Sequence, residues 1–186
     1  MTEVSSLTGR LLVAAPALTD PNFDRAVVLL LDHDEEGSLG VVLNRPTPVG
    51  VGDILASWAG LTGEPDVVFQ GGPVSLDSAL GVAVIPGDEG PLGWRRVHGA
   101  IGLVDLETPP ELLGPALGSL RIFAGYAGWG PGQLEGELNE GAWYVVESEP
   151  GDVSSPRPER LWRAVLRRQR SELAMIATYP DDPSLN

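Results

Sequence analysis

Residues 26–43 contain two apolar segments with a polar one between them: Ala26-Val27-Val28-Leu29-Leu30-Leu31, Asp32-His33-Asp34-Glu35-Glu36-Gly37 and Ser38-Leu39-Gly40-Val41-Val42-Leu43. The first segment is a continuous β-rich run, which is typical of a strand buried on both faces. The polar segment predicts a turn and the last segment a partner strand, so together they predict a β-hairpin. The hairpin is expected to end at Asn44-Arg45-Pro46-Thr47-Pro48, because proline cannot continue a central ladder.

Shorter segments predict the remaining elements. Strands are predicted at residues 9–15, 67–69, 80–85, 95–106, 120–124 and 142–146. Helices are predicted at residues 53–59, 109–113, 133–140 and 158–169, the second of them with Thr108 as its N-cap. Because hairpins occur together with strand–helix–strand pieces, the chain is predicted to form one α+β domain over residues 1–178. Residues 179–186 are predicted to form an extended C-terminal tail.

The composition excludes several kinds of chemistry. The 186 residues include 26 acidic and 12 basic side chains, which give a formal net charge of −14, and every basic residue is an arginine. A chain without lysine has no Schiff-base or P-loop lysine. The absence of cysteine excludes thiolate nucleophiles, disulfides, iron–sulfur clusters and cysteine-based zinc sites. Since His33 and His98 are the only imidazoles, we expect no cofactor and no structural metal.

The sequence predicts a cytoplasmic protein without a membrane contact. Residues 1–6 lack the basic and apolar regions of a secretory signal, and no apolar run is long enough for a membrane helix. The negative charge also opposes binding to DNA. Half of the arginines lie near the C-terminus, where we expect them to pair with the protein's own carboxylates; a nucleic-acid contact and a protein contact are the alternatives. They are Arg157, Arg160, Arg163, Arg167, Arg168 and Arg170.

Two polar features have both a structural and a chemical interpretation. The carboxylates and the imidazole of residues 32–36 are ordinary metal ligands, but consecutive side chains in a turn point in different directions, which favours a solvated hairpin. Serine hydrolase chemistry is not supported, because no Gly-x-Ser-x-Gly occurs and neither histidine has a partner serine in the sequence. Capping is the expected role of Ser75 and Ser78. Hydrolysis by two carboxylates stays open, since acidic residues are abundant.

The segment Gly71-Gly72-Pro73-Val74 follows a predicted strand. Its backbone amides are suited to cradle an anion, and a purely structural turn is the alternative. The segment lacks the full phosphate-loop pattern, and no lysine is present to complete one. It is therefore a candidate for one wall of a binding site rather than a nucleotide site in its own right.

Residues 125–138 read GYAGWGPGQLEGEL and predict a corner in which a strand turns into a helix. Gln133 and Glu137 lie four residues apart on one face of that helix. Tyr126 and Trp129 add aromatic surface beside these polar groups, a composition typical of ligand sites and interfaces; aromatics packed in the core are the alternative. Because glycine-rich turns that follow strands of one small sheet often share a sheet end, we expect Gly71-Gly72 to lie near this corner.

Taken together, these segments resemble the YqgE/AlgH family of bacterial proteins. The resemblance extends over nearly the whole chain, up to the helix that contains Leu161-Trp162. It is carried by residues 9–16 (GRLLVAAP), 23–27 (FDRAV), 39–46 (LGVVLNRP), 71–74 (GGPV), 125–129 (GYAGW) and 132–135 (GQLE). It implies an α+β domain with a branched, mostly antiparallel sheet that curls into a barrel-like shape with a few flanking helices. Members are commonly labelled putative transcriptional regulators, without a settled enzymatic activity.

Three functions are carried forward. The first is a non-enzymatic regulatory or binding protein that acts through a small molecule or a protein partner, as a monomer or weak homodimer. The second is an enzyme for a small anionic metabolite, in which Arg45 holds the anion and Gln133 or Glu137 orients or deprotonates the substrate. The third, direct DNA binding, is disfavoured by charge. The surface expected to bind a ligand or partner comprises Asn44, Arg45, Gly71, Gly72, Tyr126, Trp129, Gln133 and Glu137.

Overall fold

A computed structural model describes residues 6–87, 90–170 and 172–180. Ten strands form one sheet: β1 (Leu11–Ala14), β2 (Val27–Asp34), β3 (Gly37–Val42), β4 (Pro46–Gly50), β5 (Val67–Gln70), β6 (Val74–Val84), β7 (Trp94–His98), β8 (Ile101–Val104), β9 (Ser119–Trp129) and β10 (Trp143–Val146). The helices are short: α1 (Val51–Ile54), α2 (Pro110–Leu113), α3 (Gln133–Asn139), α4 (Pro150–Val153), α5 (Leu161–Arg167) and α6 (Leu173–Ile176). In the described ranges, no helix is long and apolar enough to cross a membrane.

The sheet branches at β9, its long central strand. The main path runs in the order β10-β1-β2-β3-β9-β6-β8-β7, and β4 and β5 form a side branch. Near its end β9 pairs with β3, with Ala127 opposite Gly40, whereas further back Phe123 pairs with Phe69 of β5. The β5–β9 pairing is parallel and the other pairings are antiparallel. The sheet curls into a half-barrel, which confirms the predicted single α+β domain with a branched, mostly antiparallel sheet.

Both faces of the central strands are buried. In β2, Leu29 belongs to a cluster beneath α5, and its neighbours Val28 and Leu30 belong to a second cluster beneath α3. All three side chains are fully buried, as the continuous apolar run predicts. A third cluster, around Trp58 and Ile122, fills the space beneath α1 and α2. Helix α5 contributes four buried side chains to its interface with the sheet: Leu161, Trp162, Val165 and Leu166.

Several predicted boundaries are wrong for one physical reason: cross-strand pairing overrides local turn composition. Strand β2 continues through Asp34, so the turn of the hairpin is only Glu35-Glu36. Strand β9 continues to Trp129, so residues 125–129 are strand rather than turn, and the corner lies at residues 130–132. A further strand, β4, lies where the hairpin was expected to stop. It accommodates two prolines because it is an edge strand that pairs only with β5.

Two capping predictions are also wrong. Ser75 and Ser78 lie inside β6, where the register with β9 shifts between Val74 and Ala79, so neither serine precedes a helix. At α2 the N-cap residue is Pro109, and no side chain caps this helix. Of the predicted tail, residues 181–186 lie outside the described residues, and the boundary at residue 178 stays a prediction.

Candidate ligand-binding site

Asn44 and Arg45 follow β3 and anchor the loop formed by residues 20–25. The Asn44 side-chain amide donates to the carbonyl of Arg25 at 2.8 Å, and its oxygen accepts from the backbone N–H of Val27 at 3.0 Å. The Arg45 guanidinium donates to the carbonyl of Asp24. Arg25 has a left-handed backbone with φ of 57°, which costs free energy and persists only where neighbouring contacts fix it. Two of the motif segments that carry the family resemblance are thus fastened to each other.

Gly71 and Gly72 form the wall beside Arg45. The Gly71 N–H donates to the carbonyl of Ala124, and the Gly71 carbonyl accepts from the N–H of Val42, both at 2.8 Å. A Cβ atom on Gly72 would lie 2.2 Å from the carbonyl carbon of Tyr126, so only glycine permits this approach of two backbones. Gly71 and Gly72 thus lie against residues 124–127 of β9, whereas the corner to which they were predicted to lie close is further along the chain, at residues 130–132.

Two adjoining cavities share Arg45. The first, which we call the amide lobe, has a volume of about 210 Å³. Its lining residues are Pro21, Asn22, Val42, Arg45, Gln70 and Gly72. The second, the arginine lobe, has a volume of about 250 Å³. Its lining residues are Arg25, Asn44, Arg45, Glu159, Trp162 and Arg163. We refer to the two lobes together as the arginine cleft.

Positive charge dominates the arginine lobe. Among the described residues, three guanidinium groups line it together with one carboxylate, that of Glu159, in a protein whose formal net charge is −14. The Arg25 guanidinium carbon lies 4.4 Å from the centroid of the Trp162 ring, and that of Arg163 lies 5.4 Å away. Burial lowers the pKa of Arg45, an effect that the nearby Asp24 carboxylate partly offsets. An anion in this lobe would offset the unfavourable desolvation of the Arg45 guanidinium.

The other half of the predicted surface is a closed network, which we call the aromatic corner. Glu137 Oε1 accepts from the indole N–H of Trp129 at 3.1 Å and from that of Trp143 at 2.9 Å. Glu137 Oε2 accepts from the Gln133 amide at 3.1 Å, and the Gln133 oxygen accepts from the N–H of Gly130. Phe23 packs against both indole rings, with centroid distances of 6.2 and 5.5 Å. The carboxylate is therefore occupied in holding α3 against the sheet.

The structure thus divides the eight residues predicted to form one surface. Arg45 and Gly72 line the amide lobe, Asn44 lines the arginine lobe, and Gly71 supports the wall between β3 and β9. Trp129, Gln133 and Glu137 form the aromatic corner. Tyr126 packs against the cluster beneath α5, whereas Trp129 belongs to the cluster beneath α3. These two aromatics lie on opposite faces, because residues three apart in a strand point to opposite sides.

The acidic hairpin contains a contact that the sequence analysis missed. His33 and Ser38 are cross-strand partners, and His33 Nδ1 lies 2.6 Å from Ser38 Oγ with both side chains buried. The fold therefore gives His33 a partner serine that the sequence pattern does not show. The signal that could have revealed this contact is the two-residue turn, because a turn of that length places Asp34 opposite Gly37 and hence His33 opposite Ser38. Among the described residues, no three His, Asp or Glu side chains are placed to hold a metal ion.

The C-terminal arginines do not act as one set. Arg168, at the end of α5, forms ion pairs with Asp152 at 2.6 Å and with Glu149 at 3.1 Å, and its pKa is raised mainly by the hydrogen bond to Asp152. Arg163 instead donates to backbone carbonyls and lines the arginine lobe. Arg160, Arg167 and Arg170 are exposed. The expected pairing with the protein's own carboxylates holds for Arg168.

A larger cavity, of about 410 Å³, lies at the other end of the sheet. Its lining residues are Leu80, Gly93, Trp94, Arg95, Leu103, Val104 and Asp105. The Trp94 indole there donates to the carbonyl of Ala83 at 3.2 Å. Since Arg95 is the one cationic group among the described residues of this lining, the cavity offers little to an anion. It also contains none of the segments that carry the family resemblance.

The described architecture defines a single-domain α+β half-barrel in which three of the motif segments, residues 23–27, 39–46 and 71–74, meet around Arg45. A family model described as AlgH-like (DUF179) matches residues 11–174. The chain belongs to this AlgH-like family, which confirms the resemblance seen in the motifs.

Curated relatives and solved structures support the same assignment. A UPF0301 protein of Streptomyces avermitilis is 87% identical and covers 100% of this chain and 98% of its own length. One from Thermobifida fusca is 50% identical, with 97% and 96% covered. The crystal structure of DIP2367 from Corynebacterium diphtheriae has a TM-score of 0.89 at 32% identity, covering 96% of this chain and 95% of its own. The solution structure of AlgH from Pseudomonas aeruginosa has a TM-score of 0.69 at 25% identity, with 97% of each chain covered.

Proposed function

We propose that this protein is a non-enzymatic regulatory protein that binds a small anionic molecule in the arginine cleft. The observation that carries the proposal is the convergence of Arg25, Arg45 and Arg163 on one lobe of a strongly acidic chain. Guanidinium groups recognise carboxylates and phosphates through charge-assisted, often bidentate hydrogen bonds. A local cluster of cations also directs anions to one place on a surface that otherwise repels them.

The size and lining of the cleft indicate the kind of ligand. Each lobe is smaller than the roughly 300–1,000 Å³ of sites for drug-sized ligands. The arginine lobe suits the anionic group of the ligand, and the side-chain amides of Asn22 and Gln70 in the amide lobe suit an uncharged polar part. We infer that the ligand is a small metabolite with a phosphoryl or carboxylate group, bound by a cytoplasmic protein that is a monomer or weak homodimer.

The geometry gives less support to the enzyme hypothesis than to binding alone. That hypothesis paired Arg45 with Gln133 or Glu137, but the Glu137 carboxylate already accepts hydrogen bonds from two indoles and from Gln133. A carboxylate held in this way stabilises the fold and is poorly placed to take a proton from a substrate at Arg45. We also assign no DNA binding, because the overall charge opposes contact with phosphates along a duplex.

A thermal-shift screen with small phosphorylated and carboxylated metabolites tests the proposal. A ligand at 100 times its Kd stabilises the folded state by about 2.7 kcal/mol, which raises the Tm by several degrees. The same screen is run on Arg45→Gln and on Arg95→Gln, an equal change of charge on β7. We expect the shift to be lost in Arg45→Gln and kept in Arg95→Gln. A screen without any stabilising anion, or a shift that Arg45→Gln retains in full, would contradict the proposal.

A further inference from the structure

Four arginines near the C-terminus have no role in holding the fold together. Arg168, by contrast, pairs with Asp152 and Glu149. The four are exposed, and among the described residues none of their side chains forms a hydrogen bond or an ion pair: Arg157, Arg160, Arg167 and Arg170. We call these four residues the arginine strip.

Helix α5 presents the strip to solvent, because the opposite side of the helix is buried against the sheet. With 3.6 residues per turn, Arg160 and Arg167 lie on the side away from the core, and the small, exposed Ala164 lies between them. A separation of seven residues along a helix corresponds to about 10 Å. Arg157 and Arg170 extend the strip by three residues at either end.

The strip reverses the charge of its surroundings. Residues 157–170 contain six arginines and one glutamate, hence a formal charge of +5, in a chain whose total is −14. Arg160 is also the N-cap residue of α5, where the helix dipole disfavours a cation. Neither an internal ion pair nor the helix dipole therefore accounts for its position. Clustered like charges on an exposed face favour the binding of an opposite charge.

The chemistry and the length of the strip indicate the kind of anion. Guanidinium groups bind carboxylates through charge-assisted, often bidentate hydrogen bonds. In an extended segment, residues three apart are separated by about 10 Å, so one short acidic segment can reach both Arg160 and Arg167. A nucleic-acid duplex is longer than the strip, and its other phosphates would face the acidic remainder of the protein. A second copy of the chain has the same negative charge, which opposes its approach.

We propose that the arginine strip binds an acidic segment of a partner protein. Aspartate and glutamate side chains of the partner pair with Arg160 and Arg167, while Arg157 and Arg170 add attraction at the two ends. Because a single exposed ion pair contributes little, binding depends on several pairs that form together and are screened by salt. The strip residues are not among those that line the arginine cleft, so this interaction goes beyond the proposed function.

Fluorescence anisotropy with a labelled octaglutamate peptide tests the contact, and octaglutamine is the uncharged control. We expect octaglutamate to bind saturably to the wild type at about 50 mM sodium chloride, with an affinity about fivefold lower or less at about 200 mM, because salt screens exposed charges. Octaglutamine should not bind. The absence of saturable octaglutamate binding at the lower salt concentration would contradict the proposal.

Two double variants and one control locate the binding surface. Arg160→Gln/Arg167→Gln leaves the buried side of α5 intact, and we expect it to raise the Kd for octaglutamate about tenfold. Arg160→Lys/Arg167→Lys keeps both charges and should stay within about threefold of the wild type. Arg95→Gln, on an exposed side chain of β7, should change the Kd less than about twofold. A loss in Arg95→Gln as large as in the glutamine double variant would show unspecific attraction and overturn the proposal.

A separate probe, inorganic pyrophosphate, distinguishes the strip from the cleft. We expect pyrophosphate to raise the Tm equally in the wild type and in the glutamine double variant, because neither substituted arginine lines the cleft. Failure of pyrophosphate and of the metabolite panel to bind would contradict the proposed function alone. If Arg45→Gln abolishes octaglutamate binding while the glutamine double variant retains it, the peptide binds in the cleft and the strip is not a docking surface.

Other occupants of the strip give different results. A short DNA duplex that binds more tightly than octaglutamate, and that loses binding in the glutamine double variant, would assign the strip to nucleic acid. Sedimentation velocity shows whether a second copy binds there: self-association of the wild type that this variant abolishes would assign the strip to a dimer contact. Either result would overturn the proposal.

Discussion

The aromatic corner and the arginine cleft are both built from polar side chains beside β9, yet they differ in how their hydrogen-bonding capacity is used. In the corner, one carboxylate accepts from two indoles and an amide, and three aromatic rings close around it. In the cleft, three guanidinium groups and, among the described residues, one carboxylate line an open cavity. A polar group with matched partners stabilises the fold, whereas clustered like charges beside a cavity favour the binding of an opposite charge.

A substitution of Gly72, in the wall of the cleft, should have the largest effect on stability. In Gly72→Ala the new Cβ would lie within 2.4 Å of three backbone atoms of Tyr126 and Ala127. Because backbone atoms cannot move aside as a flexible side chain does, we expect a loss of about 3 kcal/mol or more in the free energy of unfolding. Gly63→Ala is the control, since no atom lies within 4 Å of its Cβ position. Urea denaturation of both variants checks this, and similar midpoints would show that the backbone at Gly72 is not in close contact with β9.

Breaking the aromatic corner should cost nearly as much. Glu137→Ala leaves the indole N–H groups of Trp129 and Trp143 without their acceptor, which we expect to cost about 2–4 kcal/mol. Glu135→Ala removes the same side chain from the same helix and should change stability by less than about 0.5 kcal/mol. The comparison is made by chemical denaturation with tryptophan fluorescence. If Glu137→Ala were as stable as Glu135→Ala and also abolished anion binding, the corner would be the functional site.

Arg121 provides a contrast to the arginine cleft, because it is a buried cation that donates to carbonyls within the fold. It is 2% exposed, donates to the carbonyls of Ser155 and Glu64 at 3.1 Å, and lies over the Phe69 ring. Burial lowers the pKa of Arg121 to about 10. Above that pH the folded protein releases this proton while the unfolded chain keeps it, so the free energy of unfolding rises with pH.

The expected gain from Arg121 is about 1 kcal/mol between pH 9 and pH 11. Tyr144 changes the free energy of unfolding in the opposite direction, because burial and the nearby Tyr179 raise its pKa. The wild type is therefore compared with Arg121→Met, in which Tyr144 is unchanged. The difference in unfolding free energy between the two proteins should move in favour of the wild type as pH rises. A constant difference across this range would show that the Arg121 guanidinium is not desolvated.

Substitution of Glu159 should have the smallest effect. It should increase anion affinity, whereas substitution of Arg45 should decrease it. In the part of the chain that the structure describes, Glu159 is the one carboxylate that lines the arginine lobe, and it is exposed. Glu159→Gln removes repulsion that solvent partly screens, so we expect anion affinity to rise only about two- to five-fold, which corresponds to less than ~1 kcal/mol. Glu111→Gln, an exposed site on α2, is the control for net charge. Titration calorimetry with pyrophosphate measures both variants, and equal gains would indicate an effect of overall charge alone.

The sequence predicted the elements whose signal is local. The apolar run of β2, the partner strand β3 and helix α3 were found from periodicity and turn chemistry, and the motif segments led to Asn44, Arg45 and Gly72. The glycines around Tyr126 predict a turn, because glycine is a common turn residue, whereas the structure has a strand there. Its role as the branch strand depends on pairing with β3, β5 and β6, which no local pattern shows.

The part of the cleft that Arg25 and Arg163 form could not be predicted in this way. Arg25 and Arg163 are separated by more than a hundred residues, and both reach the cleft through their contacts with Trp162, on α5. Helix periodicity predicted that Trp162 is buried, but it gives no information on which loop the helix meets. The composition of the aromatic corner predicts a ligand surface for a similar reason: composition does not reveal that Glu137 already has hydrogen-bond partners.

Nuclear magnetic resonance of the tryptophan indoles during a pyrophosphate titration tests most directly that the arginine cleft is the binding site. The five indole N–H groups lie in different places and each has a known acceptor: Trp58, Trp94, Trp129, Trp143 and Trp162. We expect the Trp162 signal to shift saturably with pyrophosphate, while the Trp129 and Trp143 signals of the aromatic corner stay constant. A saturable shift at Trp129, Trp143 or Trp94 with Trp162 unchanged, or no shift at any indole, would contradict the assignment of the site.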